Sequence, residues 1–163
     1  MIIKELHKED IKKALTLVWS VFEEFEVPDY SEQGVKCFQE FINYESIIEK
    51  FTRGEIVLWG NFMNNDLVGV IAIRDKNHIC MLFVSKDFHR QGIARNLFET
   101  ILAACCKDDD IDSITVNSSP YAVEIYQRLG FVSTDVEQTL NGIRFTPMRY
   151  DIIIKQSQIQ YLG

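Results

Sequence analysis

Leu82-Phe83-Val84-Ser85-Lys86-Asp87-Phe88-His89-Arg90-Gln91-Gly92-Ile93-Ala94-Arg95 is the stretch on which the reading of this chain turns. An apolar run passes into a polar turn, and a glycine in that turn opens a helical pattern. Ile93, Ala94, Leu97, Phe98, Ile101, Leu102 and Cys105 then form one apolar stripe. A helix N-terminus carries unpaired N–H groups and a partial positive charge, which together suit a phosphate. Gly92 removes a side chain where an anion would approach, and Ala94 stays small. Lys86, His89, Arg90 and Arg95 surround the turn in a chain of net charge −7. No Gly-Lys-Ser/Thr follows and G-x-G-x-x-G is absent, so this is neither of the common nucleotide loops. Spacing alone leaves two readings open: a phosphate cradle, or an ordinary strand-to-helix turn with a solubilising rim.

The pattern outward from this turn is regular. Residues 78–84 read as a strand, apolar on both faces and therefore central in a sheet. Before it, 56–63 and 67–74 read as strands joined by Asn64-Asn65-Asp66, with Asp75-Lys76-Asn77 as the next turn. Residues 2–6 form a short first strand. A helix opens at Lys8-Glu9-Asp10 and is stopped by Val27-Pro28-Asp29; a second helical stretch covers 31–51. After the helix over 92–106 come a strand over 111–116 and a helix over 120–129. Ser119 is its N-cap, Pro120 its first residue and Gly130 its stop. Residues 131–136 and 143–154 close the pattern as strands, with Asn141-Gly142 turning into the last one. The order β-α-α-β-β-β-α-β-α-β-β predicts an α+β fold: a mixed, largely antiparallel sheet flanked by helices. The domain is expected to cover 1–155, with a polar C-terminal tail over 156–163.

Composition narrows the function classes. The 163 residues fit one domain, and 47% apolar with 25% charged residues is an ordinary globular balance. An acidic chain is a poor match to nucleic-acid phosphates, so no nucleic acid is expected as partner. No apolar run reaches transmembrane length, so no membrane partner is expected either. Cys37, Cys80, Cys105 and Cys106 make no C-x-x-C pair and His7, His78 and His89 are scattered, so no metal site is expected. Four reduced thiols and no secretory leader predict a cytoplasmic protein.

His89-Arg90-Gln91-Gly92-Ile93-Ala94 resembles the Q/R-x-x-G-x-G/A element of the GCN5-related N-acetyltransferase (GNAT) family, with His89 departing from the pattern at its first position. A second block, Asn117-Ser118-Ser119-Pro120-Tyr121-Ala122-Val123-Glu124-Ile125-Tyr126-Gln127-Arg128-Leu129-Gly130-Phe131, resembles the family's later motif, an Asn followed by a helix reading A…Y…LGF. The resemblance implies acetyl-CoA as cosubstrate. The amides of His89, Arg90, Gln91, Gly92, Ile93, Ala94 and Arg95 would hold its pyrophosphate, and the strand at Leu82, Phe83 and Val84 its pantetheine arm. Asn117 would bond pantetheine or substrate, or else cap its own turn.

The resemblance also implies an acyltransferase acting on a primary amine of a small molecule or peptide, as monomer or homodimer. Tyr126 would protonate the leaving thiolate, and a backbone amide near Leu82 or Phe83 would hold the oxyanion. The strand over 78–84 has no carboxylate, so the general base is expected to be ordered water, with His78 as a lesser candidate. By period two, His78 shares a face with Cys80, Leu82 and Val84. Glu23, Glu24, Glu26 and Asp29 cluster near the turn after the first long helix, as a lure for a cationic amine or a solvated face. The acceptor itself, and whether the donor carries acetyl or a longer acyl group, are not written in these motifs. A non-catalytic CoA-binding module of the same fold is the alternative reading.

Overall fold

Three short turns set the sheet. Asn64 and Asn65, Asp75 and Lys76, and Asn141 and Gly142 all take positive φ. That backbone twist matches the twist of paired strands, so each pair closes a tight hairpin. In the computed structural model, which describes residues 1–152, the elements run in this order. First come β1 (Ile2–Glu5), α1 (Ile11–Phe25), α2 (Glu32–Phe41), α3 (Tyr44–Thr52), β2 (Ile56–Met63), β3 (Asp66–Arg74) and β4 (His78–Val84). Then come α4 (Ile93–Cys105), β5 (Ser113–Ser118), α5 (Val123–Leu129), β6 (Val132–Ser133), β7 (Gln138–Leu140) and β8 (Ile143–Asp151). The expected tail over 156–163 lies outside the described residues.

Among the described residues eight strands form one sheet in the order β1-β2-β3-β4-β5-β8-β6, with β7 paired to β8. All pairings are antiparallel except β4 with β5, which is parallel. Helices cover both faces. On one, Leu97, Phe98 and Ile101 of α4 and Leu129 of α5 pack on Ile71, Ile114 and Met148. On the other, Ile11, Val18 and Phe22 of α1 and Ile47 of α3 pack on Leu58, Val70, Met81 and Phe83.

Four local expectations change, the first being the helix over 120–129: Pro120–Ala122 is a 3-10 turn with no side-chain cap from Ser119, and α5 starts at Val123. The single helix over 31–51 is two helices, because the Asn43 side chain accepts from the Ser46 N–H at 3.3 Å and starts a new one. The strand expected over 131–136 shrinks to Val132–Ser133, because Gly130 takes a left-handed φ of 108° and Phe131 is used to close α5, its N–H bonding Tyr126 C=O. A further short strand, β7, forms after it. The strand expected over 111–116 sits at Ser113–Ser118.

Candidate active site

The site begins with an irregularity in β4. Ala72 of β3 pairs with Met81 while Ile73 pairs with Ile79, so Cys80 is an extra residue. Such a bulge shifts the alternation of faces by one. Ile79, Leu82 and Val84 pack toward α4 and α5, whereas Cys80, Met81 and Phe83 pack toward α1. The shared face expected for His78, Cys80, Leu82 and Val84 is therefore broken. His78 stays behind the bulge and bonds Thr115 Oγ1 at 2.8 Å. Burial pulls its pKa down to about 4, which leaves a neutral ring too weakly basic to serve as a strong proton acceptor.

Beyond the bulge β4 and β5 part. Only His78 with Thr115 and Ile79 with Val116 are paired. Ser85 N–H bonds Val68 C=O on β3, so by alternation Leu82 and Val84 turn their backbone groups to the open side. The Val84 carbonyl does so visibly: His89 Nε2 lies 2.6 Å from it, so that ring nitrogen donates. The His89 ring in turn packs on Phe25, with centroids 5.1 Å apart.

Two cavities flank this gap. One, of about 540 Å³, is bordered by Leu82, Phe83, Val84, His89, Arg90, Gly92, Ile93, Ala94, Arg95 and Tyr126. The turn that feeds it leaves backbone amides without helical partners. Arg90 and Gly92 take positive φ on either side of Gln91. The first backbone bond of α4 runs from Asn96 N–H to Gly92 C=O, so the amides of Ile93, Ala94 and Arg95 stand ahead of the helix ladder. A Cβ on Gly92 would meet nothing within 4 Å, so the glycine is there for its backbone angle rather than for room.

The basic rim is thinner than expected. Lys86 pairs with Glu24 at 2.5 Å, and Arg95 donates to the Arg128 carbonyl at 2.9 Å. The side chain of Gln91 bonds Asp87 C=O, and Gln91 does not border the cavity. Arg90, Arg95 and Arg128 all border the cavity, Arg128 being paired with Glu124.

The second cavity, of about 330 Å³, opens on the other side of the gap. Tyr30, Phe38, Phe41, Lys50, Arg74, His78, Asn117 and Ser119 are among its walls. Asn117 is exposed there, as the next-to-last residue of β5. Next to Ile143 of its wall, two glycines set how closely a helix and a hairpin meet. A side chain on Gly34 of α2 would overlap the backbone carbonyl of Gly142 at the tip of the β7–β8 hairpin, so helix and hairpin meet backbone to backbone.

Among the described residues, five border both cavities: Glu26, Leu82, Phe83, Ala122 and Tyr126. Tyr126 is 5% exposed, and burial holds its hydroxyl pKa well above the usual phenol value, so it stays protonated at neutral pH. Glu26 is 9% exposed, with its pKa raised to about 7 by burial and secondarily by the charge of Asp29. The sequence reading placed Glu26 in a surface acidic cluster. The missed signal was its register: Val18, Phe22 and Glu26 follow one another at four-residue steps along the buried stripe of α1. Cys80, pushed up to about 12 by burial, is a thiol and not a nucleophile at neutral pH. Among the described residues no group of histidines, cysteines and carboxylates is placed to hold a metal. Among them, too, no helix is long and apolar enough to cross a membrane.

A model of the acetyltransferase (GNAT) domain matches residues 26–152, and the chain belongs to that family. It is a GNAT acyltransferase with acetyl-CoA as cosubstrate. The fold agrees with solved structures throughout. An N-acetyltransferase described as GCN5-related from Rhodopseudomonas palustris superposes with a TM-score of 0.79 at 18% identity, over 92% of this chain and 94% of that one. The PaiA N-acetyltransferase of Thermoplasma acidophilum, solved with coenzyme A, gives 0.76 at 18% identity over 93% and 99%. The spermidine N-acetyltransferase of Vibrio cholerae, solved with CoA and spermine, gives 0.65 at 16% identity over 93% and 95%. The comparison with curated proteins gave no match.

Proposed function

We propose that this protein transfers the acetyl group of acetyl-CoA to a primary amine of a small molecule or peptide in the cytoplasm. The observation that supports it is the meeting of two cavities at the gap between β4 and β5, with a protonated tyrosine and an open strand edge at the junction. In this reading the larger cavity takes the donor. The amides of Gly92, Ile93, Ala94 and Arg95, with the Arg90 side chain, hold the pyrophosphate, and Val84 and Leu82 line the pantetheine arm. The smaller cavity takes the acceptor, with Asn117 on its wall.

The chemistry follows from that placement. The neutral amine attacks the thioester carbonyl, and the new C–N bond forms as negative charge moves to the carbonyl oxygen. The Leu82 N–H, on the open edge of β4, stabilises that oxygen. The C–S bond then breaks, and Tyr126 donates its proton to the departing thiolate while the amide nitrogen gives one up. A thiol-release assay with acetyl-CoA and a panel of polyamines, aminoglycosides and short peptides tests the reading. Turnover of at least one amine is expected; CoA binding with no turnover on any of them would count against an amine acceptor. Longer acyl-CoAs in the same assay settle the donor.

A further inference from the structure

The reaction needs a group to take the proton of an ammonium acceptor, and β4 carries no carboxylate. We infer that Glu26, brought from the end of α1 to the junction of the two cavities, is the catalytic base that deprotonates the acceptor. The inference rests on the acetyltransfer reading above and adds to it a residue outside both sequence motifs.

Geometry carries it. Of the described residues that border both cavities, Glu26 is the one carboxylate, and it stands there with Tyr126 and with the Leu82 edge. A base must lie on the acceptor side of the thioester and within reach of it, and the junction is that place. Its backbone is fixed, since the Glu26 N–H bonds Phe22 C=O at 2.9 Å and closes the last turn of α1. A second observation points the same way. Ser119 Oγ is buried with no hydrogen-bond partner of good geometry, yet lies near enough to Glu26 to lower its pKa. A carboxylate beside a hydroxyl oxygen that still has lone pairs to offer suits an incoming N–H donor.

The electrostatics fit the task. An acceptor base works best with a pKa near the working pH, and burial lifts Glu26 to about 7. Asp29, on the turn after α1, adds to the rise and is itself tied to Arg144 of β8 at 3.8 Å. Tyr30, Tyr121 and Tyr126 face the same carboxylate and are neutral, their pKa values raised by burial and by Glu26. Lys50, Arg74 and His78 also line the acceptor cavity and are not among the groups that shift Glu26. The proton balance closes: the ammonium gives one proton to Glu26, which passes it to solvent. The nitrogen's second proton leaves as the C–N bond becomes an amide, matching the one Tyr126 gives to sulfur.

The test is single-turnover acetyl transfer to spermidine and to an alanine-terminated tripeptide by wild type and Glu26→Gln, from pH 5.5 to 9.5. The variant should lose roughly 100- to 10,000-fold at pH 7. It should also lose the wild-type rise in rate centred near pH 7, while calorimetric CoA affinity stays within twofold. A Glu26→Gln rate within threefold of wild type, with the same pH profile, would overturn the assignment. So would a raised KM at unchanged rate of transfer, which would make Glu26 an anchor for the ammonium. Wild-type turnover tests the amine-acceptor reading; the ratio of variant to wild type tests this one. Should Glu26→Gln fail to fold, or neither amine react, carbon-13 NMR titration of the wild-type glutamate carboxyls decides. A carboxyl titrating near 7 supports Glu26, and none above the ordinary carboxylate range overturns it.

Discussion

Glu26 extends the apolar register of Val18 and Phe22, so the docking of α1 on the sheet carries a carboxylate into the interior. That has a thermodynamic signature. Its folded pKa of about 7 lies above the ordinary 4.5, so the folded state binds this proton more tightly. The stabilisation is full below pH 4.5 and is lost as pH rises through 7, where the buried charge costs about 3 kcal/mol. Glu26→Gln is therefore expected to melt about 5–10 °C above wild type at pH 8 and close to it at pH 4.5. Melting curves at both values check this, and an equal gap at both would contradict it. Tyr126 is the second residue whose role separates from its packing. Its ring sits edge-on to Phe131, with centroids 5.3 Å apart. Tyr126→Phe keeps that contact, so it should cost at most about 1.5 kcal/mol of stability. Transfer should fall roughly 100- to 10,000-fold with CoA affinity nearly intact. A single-turnover measurement avoids masking by slow product release; near-normal transfer would return Tyr126 to the core.

At the scale of elements, the site is made by what two strands fail to do. β4 and β5 pair at one end and diverge after the Cys80 bulge, which frees a backbone edge in the middle of a sheet. The acceptor side depends equally on α2 meeting the β7–β8 hairpin through Gly34 and Gly142, with Ser31 capping α2 by accepting the Gly34 N–H at 3.2 Å. Gly34→Ala would drive a methyl group into the Gly142 carbonyl, and backbone there can yield only by moving the hairpin. Since Tyr30 and Ile143 flank that contact and line the acceptor cavity, the expected result is a several-fold rise in acceptor KM with CoA affinity unchanged. Steady-state kinetics with a turned-over amine reads both, and unchanged KM would mean the hairpin does not shape the acceptor site.

Across the whole molecule, the donor cavity draws on α1, β4, α4 and α5, so a bound donor should tie both faces of the sheet together. CoA at 100 times its Kd should add about 2.7 kcal/mol. For a chain of this size that is a rise of about 5–10 °C in Tm. Gly92→Glu should abolish that rise while the ligand-free protein stays folded, because a carboxylate would face the pyrophosphate and the positive φ of 78° is costly with any Cβ. Differential scanning calorimetry with and without CoA checks both, and an undiminished shift in Gly92→Glu would move the phosphate site elsewhere.

The amphipathic periods of 3.6 and 2 wrote most of the element order into the chain. Helix α4 at Ile93–Cys105 and strand β4 at His78–Val84 fall where the apolar spacing puts them, because those patterns have one way to bury their stripes. The turn at Gly92 was legible too, but not its reason: the glycine serves a positive φ rather than the room for an anion that the sequence suggests. Short-range competition was harder to read: the Asn43 cap splits one helical stretch into two, and the Phe131 N–H bond to Tyr126 shortens the strand that follows. The faces of β4 were not legible at all, because a bulge at Cys80 arises from pairing with β3 and leaves no mark in the alternation itself. The inward register of Glu26 was legible, but its partners were not, being distant in the chain: Ser119 after β5, Tyr126 on α5 and Arg144 through Asp29. A residue's propensity and periodicity are local, so sequence determines them. A carboxylate's solvation and its partners depend on which elements close over it, and that was decided only when α1 docked against the open gap between β4 and β5.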